Sequence, residues 1–187
     1  MAKTVDVRVR SAEAGDRDKI WPLARDFAAS FQLDRACYNT SFEKLVNQPD
    51  ALLIIADTPT ADVRGYLLAF THHTFLANGP VTWVEELMVA EEGRCAGTGR
   101  RLMVAAENWS ASKGAAYVAL ATRRAADFYL ALGYTESAAF FCKMLTTPEP
   151  ENSGATSSRP PGPTEVDTAN SACVRCSVRT GQTEVIR

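Results

Sequence analysis

Val81-Thr-Trp-Val-Glu85-Glu86-Leu87-Met88-Val89-Ala90-Glu-Glu-Gly93-Arg94-Cys95-Ala96-Gly97-Thr98-Gly99 is the stretch on which the fold turns. Its first ten residues are apolar or β-branched apart from two acids, and they read as a strand over Val81–Ala90. A polar turn follows. Beyond it Leu102, Ala105, Ala106 and Trp109 recur at helical spacing, which predicts a helix from Gly99 to about Ser112. The two glycines at the junction let the backbone pass close to a ligand. The unpaired N–H groups of the first helical turn and the helix dipole point at the same spot, which favours a phosphate or pyrophosphate.

On the C-terminal side, Ala115–Ala121 is an apolar run with the length of a buried strand, Ala125–Leu132 is helical and stops at Gly133, and Ser137–Leu145 reads as a last strand. On the N-terminal side, Val5–Arg10 alternates apolar and charged residues as a half-wet strand does. Ile20, Leu23, Phe27 and Phe31 predict a helix from about Arg17, with Asp16 as N-cap and Pro22 in the early turns where proline is tolerated. Thr40-Ser-Phe-Glu43 fits a capping box for a short second helix ending near Asn47. Leu52–Ala56 and Val63–Thr74 are strands joined by a turn-rich linker, consistent with a hairpin. The order β-α-α-β-β-β-α-β-α-β, antiparallel first and then a β-α-β unit, indicates an α/β protein with a mixed sheet and helices on both faces.

Composition divides the chain near Leu145. The segment 146–187 holds none of the 8 Phe, 3 Trp and 5 Tyr but five of the 9 prolines. Lacking large apolar side chains, it buries too little area to offset an ordering entropy of roughly 1–2 kcal/mol per residue, so the expectation is a domain over 1–145 and a disordered tail over 146–187. Cys173-Val-Arg-Cys176 in that tail has neither the further ligands of a zinc site nor the strand-helix context of a redox pair. Twenty Lys+Arg against 22 Asp+Glu give a net charge of −2, which supplies no general pull toward nucleic acid or anionic lipid. The aliphatic runs fall short of the ~20 residues that span a bilayer, and residues 1–16 lack the apolar core of a secretory signal. The expectation is a cytoplasmic protein with free thiols and no metal.

Spacing separates three kinds of phosphate loop. A P-loop requires Lys-Ser/Thr after its last glycine, which is absent here. A dinucleotide fingerprint requires a third glycine where Leu102 stands, and an acid about 20 residues on, where Tyr117 stands. The remaining pattern, [Arg/Gln]-x-x-Gly-x-[Gly/Ala] between a strand and a helix, resembles the acetyl-CoA-binding motif of the GCN5-related N-acetyltransferases (GNAT). Ala125-Ala-Asp-Phe-Tyr129-Leu-Ala-Leu-Gly133-Tyr134 is similar to the second signature of that family. The resemblance covers roughly residues 5–145.

The resemblance implies a co-substrate, acetyl-CoA, whose pantetheine arm lies along the backbone of Leu87, Met88 and Val89. It places the pyrophosphate on the backbone of Cys95, Ala96, Gly97, Thr98, Gly99 and Arg100, counts Arg94 of the motif among the cofactor-binding residues, and has Arg100 and Arg101 adding charge at the mouth. Thr122 stands where many relatives have a cofactor-binding asparagine. Trp83–Val89 looks like the acid pair of the diamine acetyltransferases, which would make Glu85 the base and Glu86 a substrate contact. By position Tyr129 is the acid for the leaving thiolate, and the Val89 N–H a donor to the oxyanion.

These roles match the chemistry. An alkylammonium with a pKa near 10 is only about one part in a thousand neutral at pH 7, so a base helps. A phenol can protonate a thiolate of pKa near 8.5. Successive strand residues face opposite ways, so Glu85 and Glu86 cannot do the same job; for the same reason the adjacent His72 and His73 cannot chelate one metal. The expected activity is direct acetyl transfer to a primary amine of a small molecule or peptide, in a protein compatible with a homodimer. The alternative is a non-catalytic acyl-CoA sensor or scaffold, which needs neither the acids nor Tyr129.

Overall fold

The computed structural model describes residues 7–27 and 32–143. Strands β1 (Arg8–Ser11), β2 (Ala51–Asp57), β3 (Val63–Thr74), β4 (Gly79–Val89) and β5 (Val118–Leu120) form one sheet in the order 1-2-3-4-5. The first four are antiparallel neighbours, and β5 runs parallel to β4. Short turns suffice between β2, β3 and β4, whereas a parallel neighbour requires a crossover, which helix α3 (Thr98–Ser112) supplies. The α/β class and the mixed sheet are as the sequence implies.

Two cores lie on the two faces of the sheet. On one, Leu102, Met103 and Ala106 of α3 pack with Ile54, Ala56, Leu67 and Ala69, joined by Phe128 and Tyr129 of α4 (Ala126–Leu130). On the other, Ile20 and Leu23 of α1 (Arg17–Phe27) and Tyr38 and Phe42 of α2 (Arg35–Val46) pack with Leu53, Ile55, Tyr66 and Leu68. Alternate residues of β2 and β3 therefore serve opposite cores, which explains why both strands read as unbroken apolar runs.

Local structure departs from the sequence reading in four places. Asp16 does not cap α1; it closes a 3-10 turn over Ala14–Asp16, accepts the Glu13 N–H at 3.0 Å and pairs with Arg10 at 2.6 Å. Arg10 also pairs with Asp57 at 2.8 Å, and this part-buried pairing outcompetes the cap. Helix α2 starts five residues before Thr40, because Asp34 accepts the Cys37 N–H at 2.8 Å; the proposed box falls in the helix interior. Strand β5 is three residues long. Residues 137–143 form no strand and are exposed, since the apolar run finds no ladder partner for its N–H and C=O groups. Val5, Phe31, Met144, Leu145 and the segment 146–187, with Cys173 and Cys176, lie outside the described residues. Among the described residues no helix is long and apolar enough to cross a membrane.

Candidate active site

The two acids of β4 are separated by a bulge. Leu68 faces Glu86 across the β3–β4 ladder while Ala69 faces Val84, so Glu85 is an extra residue with no partner. The bulge shifts the alternation by one. Val84 and Leu87 then serve the α3 face, and Glu86 turns to the α1/α2 face with Met88. Glu85 is exposed. Glu86 is partly buried and its Oε2 accepts a 2.5 Å hydrogen bond from the Tyr66 hydroxyl. Burial pushes the Glu86 carboxyl above its ordinary value; the Tyr66 hydrogen bond opposes the shift and the charge of Glu85 adds to it. Tyr66 is itself held well above the usual phenol range, first by burial and then by the Glu86 charge, so it stays a donor.

Beside the bulge the sheet opens. Strand β5 pairs with β4 only over Thr82–Val84 and then leaves, while β4 continues to Val89. The Ala90 N–H donates to Arg64 O at 2.8 Å, so by antiparallel alternation the backbone groups of Val89 and Leu87 face away from β3, toward the open edge. Arg94 Nε donates to the Val89 carbonyl at 3.3 Å, tying the loop to the end of the strand.

The loop after β4 is shaped for close approach. Cys95 and Gly97 have φ of +58° and +82°, and Gly97 is the N-cap of α3. The first N–H taken up by the helix is that of Arg101, bonded to Gly97 O at 3.0 Å, which leaves those of Thr98, Gly99 and Arg100 without intrahelical acceptors. Thr98 Oγ1 is buried at this N-terminus with no hydrogen-bond partner. An orphaned hydroxyl beside open N–H groups and a dipole is a donor set that fits a pyrophosphate. Gly99 lets α3 approach α4: a Cβ there would meet Phe128 Cζ at 3.1 Å. Arg100 Nη2 reaches Ala131 O at 3.3 Å, and Arg101 Nη1 donates to Val7 O at 2.7 Å. Ala96 is half-buried in this turn.

Tyr129 is half-buried on the α3 side, edge-on to Phe128 and Tyr134, and burial raises its pKa. Tyr134 donates to Glu107 Oε1 at 2.9 Å and so braces α4 against α3. Thr122 is exposed, and its Oγ1 accepts the Ala125 N–H at 3.1 Å at the start of α4. His72 and His73 are exposed near the β3–β4 turn, and no group of three or more potential metal ligands exists among the described residues.

One cavity bears on Glu86. It holds about 210 Å³ between α1, α2 and the sheet, with Tyr66 and Glu86 on its floor and Cys37, Tyr38 and Ser41 on its α2 wall. Neither this cavity nor the role of Tyr66 is visible in the sequence. Tyr66 is one apolar-strand aromatic among several, and only the bulge brings the Glu86 carboxylate to its face.

The bulge, the gap beside β4 and the open N-terminus of α3 are the features set against known proteins. Residues 49–136 match the family model described as acetyltransferase (GNAT) domain. The matched segment contains β2 to β4, the loop, α3, β5 and α4. Among solved structures, a transcriptional regulator from Bacillus halodurans C-125 is 19% identical with a TM-score of 0.69, over 75% of this chain and 100% of that one. An acetyltransferase from Trypanosoma brucei is 21% identical at a TM-score of 0.65, over 75% and 100%. Glucosamine-6-phosphate N-acetyltransferase from Arabidopsis thaliana is 17% identical at 0.67, over 75% and 99%. At these identities the likeness shows the GNAT fold and nothing finer. No curated protein matches the chain. The family match supports acyl transfer in general; similarity to the diamine acetyltransferases finds no support in it.

Proposed function

We propose that the chain is an acetyl-CoA-dependent N-acetyltransferase acting on a primary amine by direct transfer, with the transferase domain over 1–145, the tail over 146–187 and a cytoplasmic location. The observation that carries this reading is the open edge of β4. Leu87 and Val89 present strand backbone to the gap, and that edge leads straight into the donor-rich N-terminus of α3. A pantetheine amide pairs with the first as an added strand does, and a pyrophosphate with the second.

Acetyl-CoA supplies the thioester; the chain supplies position and proton transfer. Met88, next to Leu87 and Val89, pairs with Tyr66 on β3 and packs in the α1/α2 core, which keeps this edge rigid. Glu86 is assigned the base, taking the proton from the substrate ammonium directly or through one water, and exposed Glu85 an outer contact. This exchanges the roles that the resemblance gives them. Burial favours the exchange, because a carboxyl of raised pKa is the stronger base. The amine nitrogen forms the new C–N bond as the C–S bond breaks, and the Tyr129 hydroxyl gives its proton to the departing sulfur. Glu86 and Tyr129 come from opposite faces of the sheet, and the gap between β4 and β5 is where those faces meet.

Isothermal titration with acetyl-CoA, followed by thiol release across a panel of amines, tests the reading. Binding with amine-dependent turnover supports it. Tight binding with no turnover of any amine, and slow hydrolysis unaffected by Tyr129→Phe, supports an acyl-CoA sensor or scaffold instead.

A further inference from the structure

The cavity over Glu86 has a chemistry of its own. Its walls are aliphatic and aromatic, from Ile20, Leu33, Phe42, Leu45, Leu53 and Leu68. Among the described residues its only charged lining residue is Glu86, and no described Lys, Arg or His lines it. The Tyr38 hydroxyl is engaged with Arg17 O at 2.8 Å and the Tyr66 hydroxyl with Glu86 Oε2, so Oε1 of Glu86 is the charged acceptor left for a ligand. At about 210 Å³ the cavity is smaller than the roughly 300 Å³ at which drug-sized sites begin.

From these walls we infer that the acceptor is a small amine carrying one positive charge on an uncharged apolar body, aromatic or branched aliphatic, whose ammonium meets Glu86. The inference rests on the transferase reading above and narrows it. A second ammonium, as on a diamine or an aminoglycoside, would be buried against hydrocarbon with no carboxylate to meet it. A carboxylate or phosphate on the substrate would lie near Glu86 with no cation to offset it. An apolar body instead gains about 25 cal/mol for each Å² it removes from water.

The test compares 2-phenylethylamine and isopentylamine with putrescine, glycine and glucosamine 6-phosphate, using the full chain, acetyl-CoA and a thiol readout. The expected result is a kcat/KM for the two apolar monoamines at least tenfold above the other three. Ser41→Glu, on an exposed turn of α2 at the cavity wall, adds a second carboxylate without disturbing the core, and is expected to raise kcat/KM for putrescine several-fold. Preference for putrescine or glucosamine 6-phosphate in the unaltered chain overturns the inference and leaves the transferase standing. If no amine is acetylated, direct titration of 2-phenylethylamine decides. Binding that weakens about tenfold in Glu86→Gln keeps the cavity as an amine site while the transferase reading fails, and absence of binding overturns both.

Discussion

Tyr66 and Glu86 sit diagonally across the β3–β4 ladder, Tyr66 opposite Met88 and Glu86 opposite Leu68, and the Tyr66 hydroxyl donates to the Glu86 carboxylate at 2.5 Å. The pair exists because Glu85 bulges. With regular pairing, Glu86 would face the α3 core and Glu85 the cavity. One inserted residue thus selects which of two adjacent acids is shielded from water and given a hydrogen-bond donor.

Replacing that acid separates activity from stability. Glu86→Gln keeps an acceptor for Tyr66 and removes the buried charge, and is expected to lower kcat/KM by about a hundredfold or more. The folded pKa of Glu86 lies above its unfolded value near 4.5, so the folded state holds the extra proton and stability falls as pH rises from about 4.5 through the raised value. The substitution should therefore raise Tm at pH 7 and leave it unchanged near pH 4, as read by calorimetry at the two pH values. A Tm lowered at pH 7 would show that the carboxylate is a net stabiliser.

Tyr129→Phe should leave acetyl-CoA affinity within about twofold and reduce kcat by about tenfold to a thousandfold, since the ring still packs on Phe128 and Tyr134 while the hydroxyl proposed as proton donor is gone. Titration calorimetry and steady-state kinetics separate the two. Because burial holds the phenol protonated beyond its ordinary value, its ionisation should not limit the rate up to at least pH 9.

Gly97→Ala places a Cβ on a residue at φ +82°, where nothing crowds it but the left-handed backbone costs about 1–2 kcal/mol. The expected outcome is a fold that melts a few degrees lower and an acetyl-CoA Kd raised about tenfold, because the N–H groups of Thr98 to Arg100 take their aim from this cap. Unchanged affinity would separate the loop from the co-substrate.

Arg10→Ala removes the shared partner of Asp16 and Asp57 and should cost about 3 kcal/mol in denaturant unfolding. The Asp16 carboxyl is held below its ordinary value chiefly by the Arg10 hydrogen bonds; burial pushes Asp57 the other way, but Arg10 and Arg8 prevail and lower it too. Such depressed groups contribute fully above about pH 3.8, and the contribution is lost as pH falls through the folded values. The variant should lose less of its remaining stability than the parent between pH 5 and pH 2.

Much of this was legible in the residues because its causes are local. Two apolar periods, glycines at a strand-helix junction and Gly133 after an apolar helix carried the element order and placed the glycine loop ahead of α3. Asp16 and Thr40 misled because a capping side chain competes with whatever else is in reach. Arg10 and Asp34, separated from them in sequence, decided both cases. The expected last strand misled over its described residues, 137–143, because β-propensity describes a side chain, whereas a strand requires a partner edge.

The amino-acid order alone specifies a mixed α/β sheet, a donor-rich loop between Val89 and Arg101 and a pair of neighbouring acids, since helical and strand periods and backbone conformational limits act over a few residues. It does not specify which acid is buried, that Tyr66 is its partner, or that an apolar cavity with one carboxylate lies between α1, α2 and the sheet. Those follow from the β3–β4 register, from the early departure of β5 and from the packing of two helices over a bulge. Register and desolvation are properties of strands meeting across a sheet, and no window along the chain contains them.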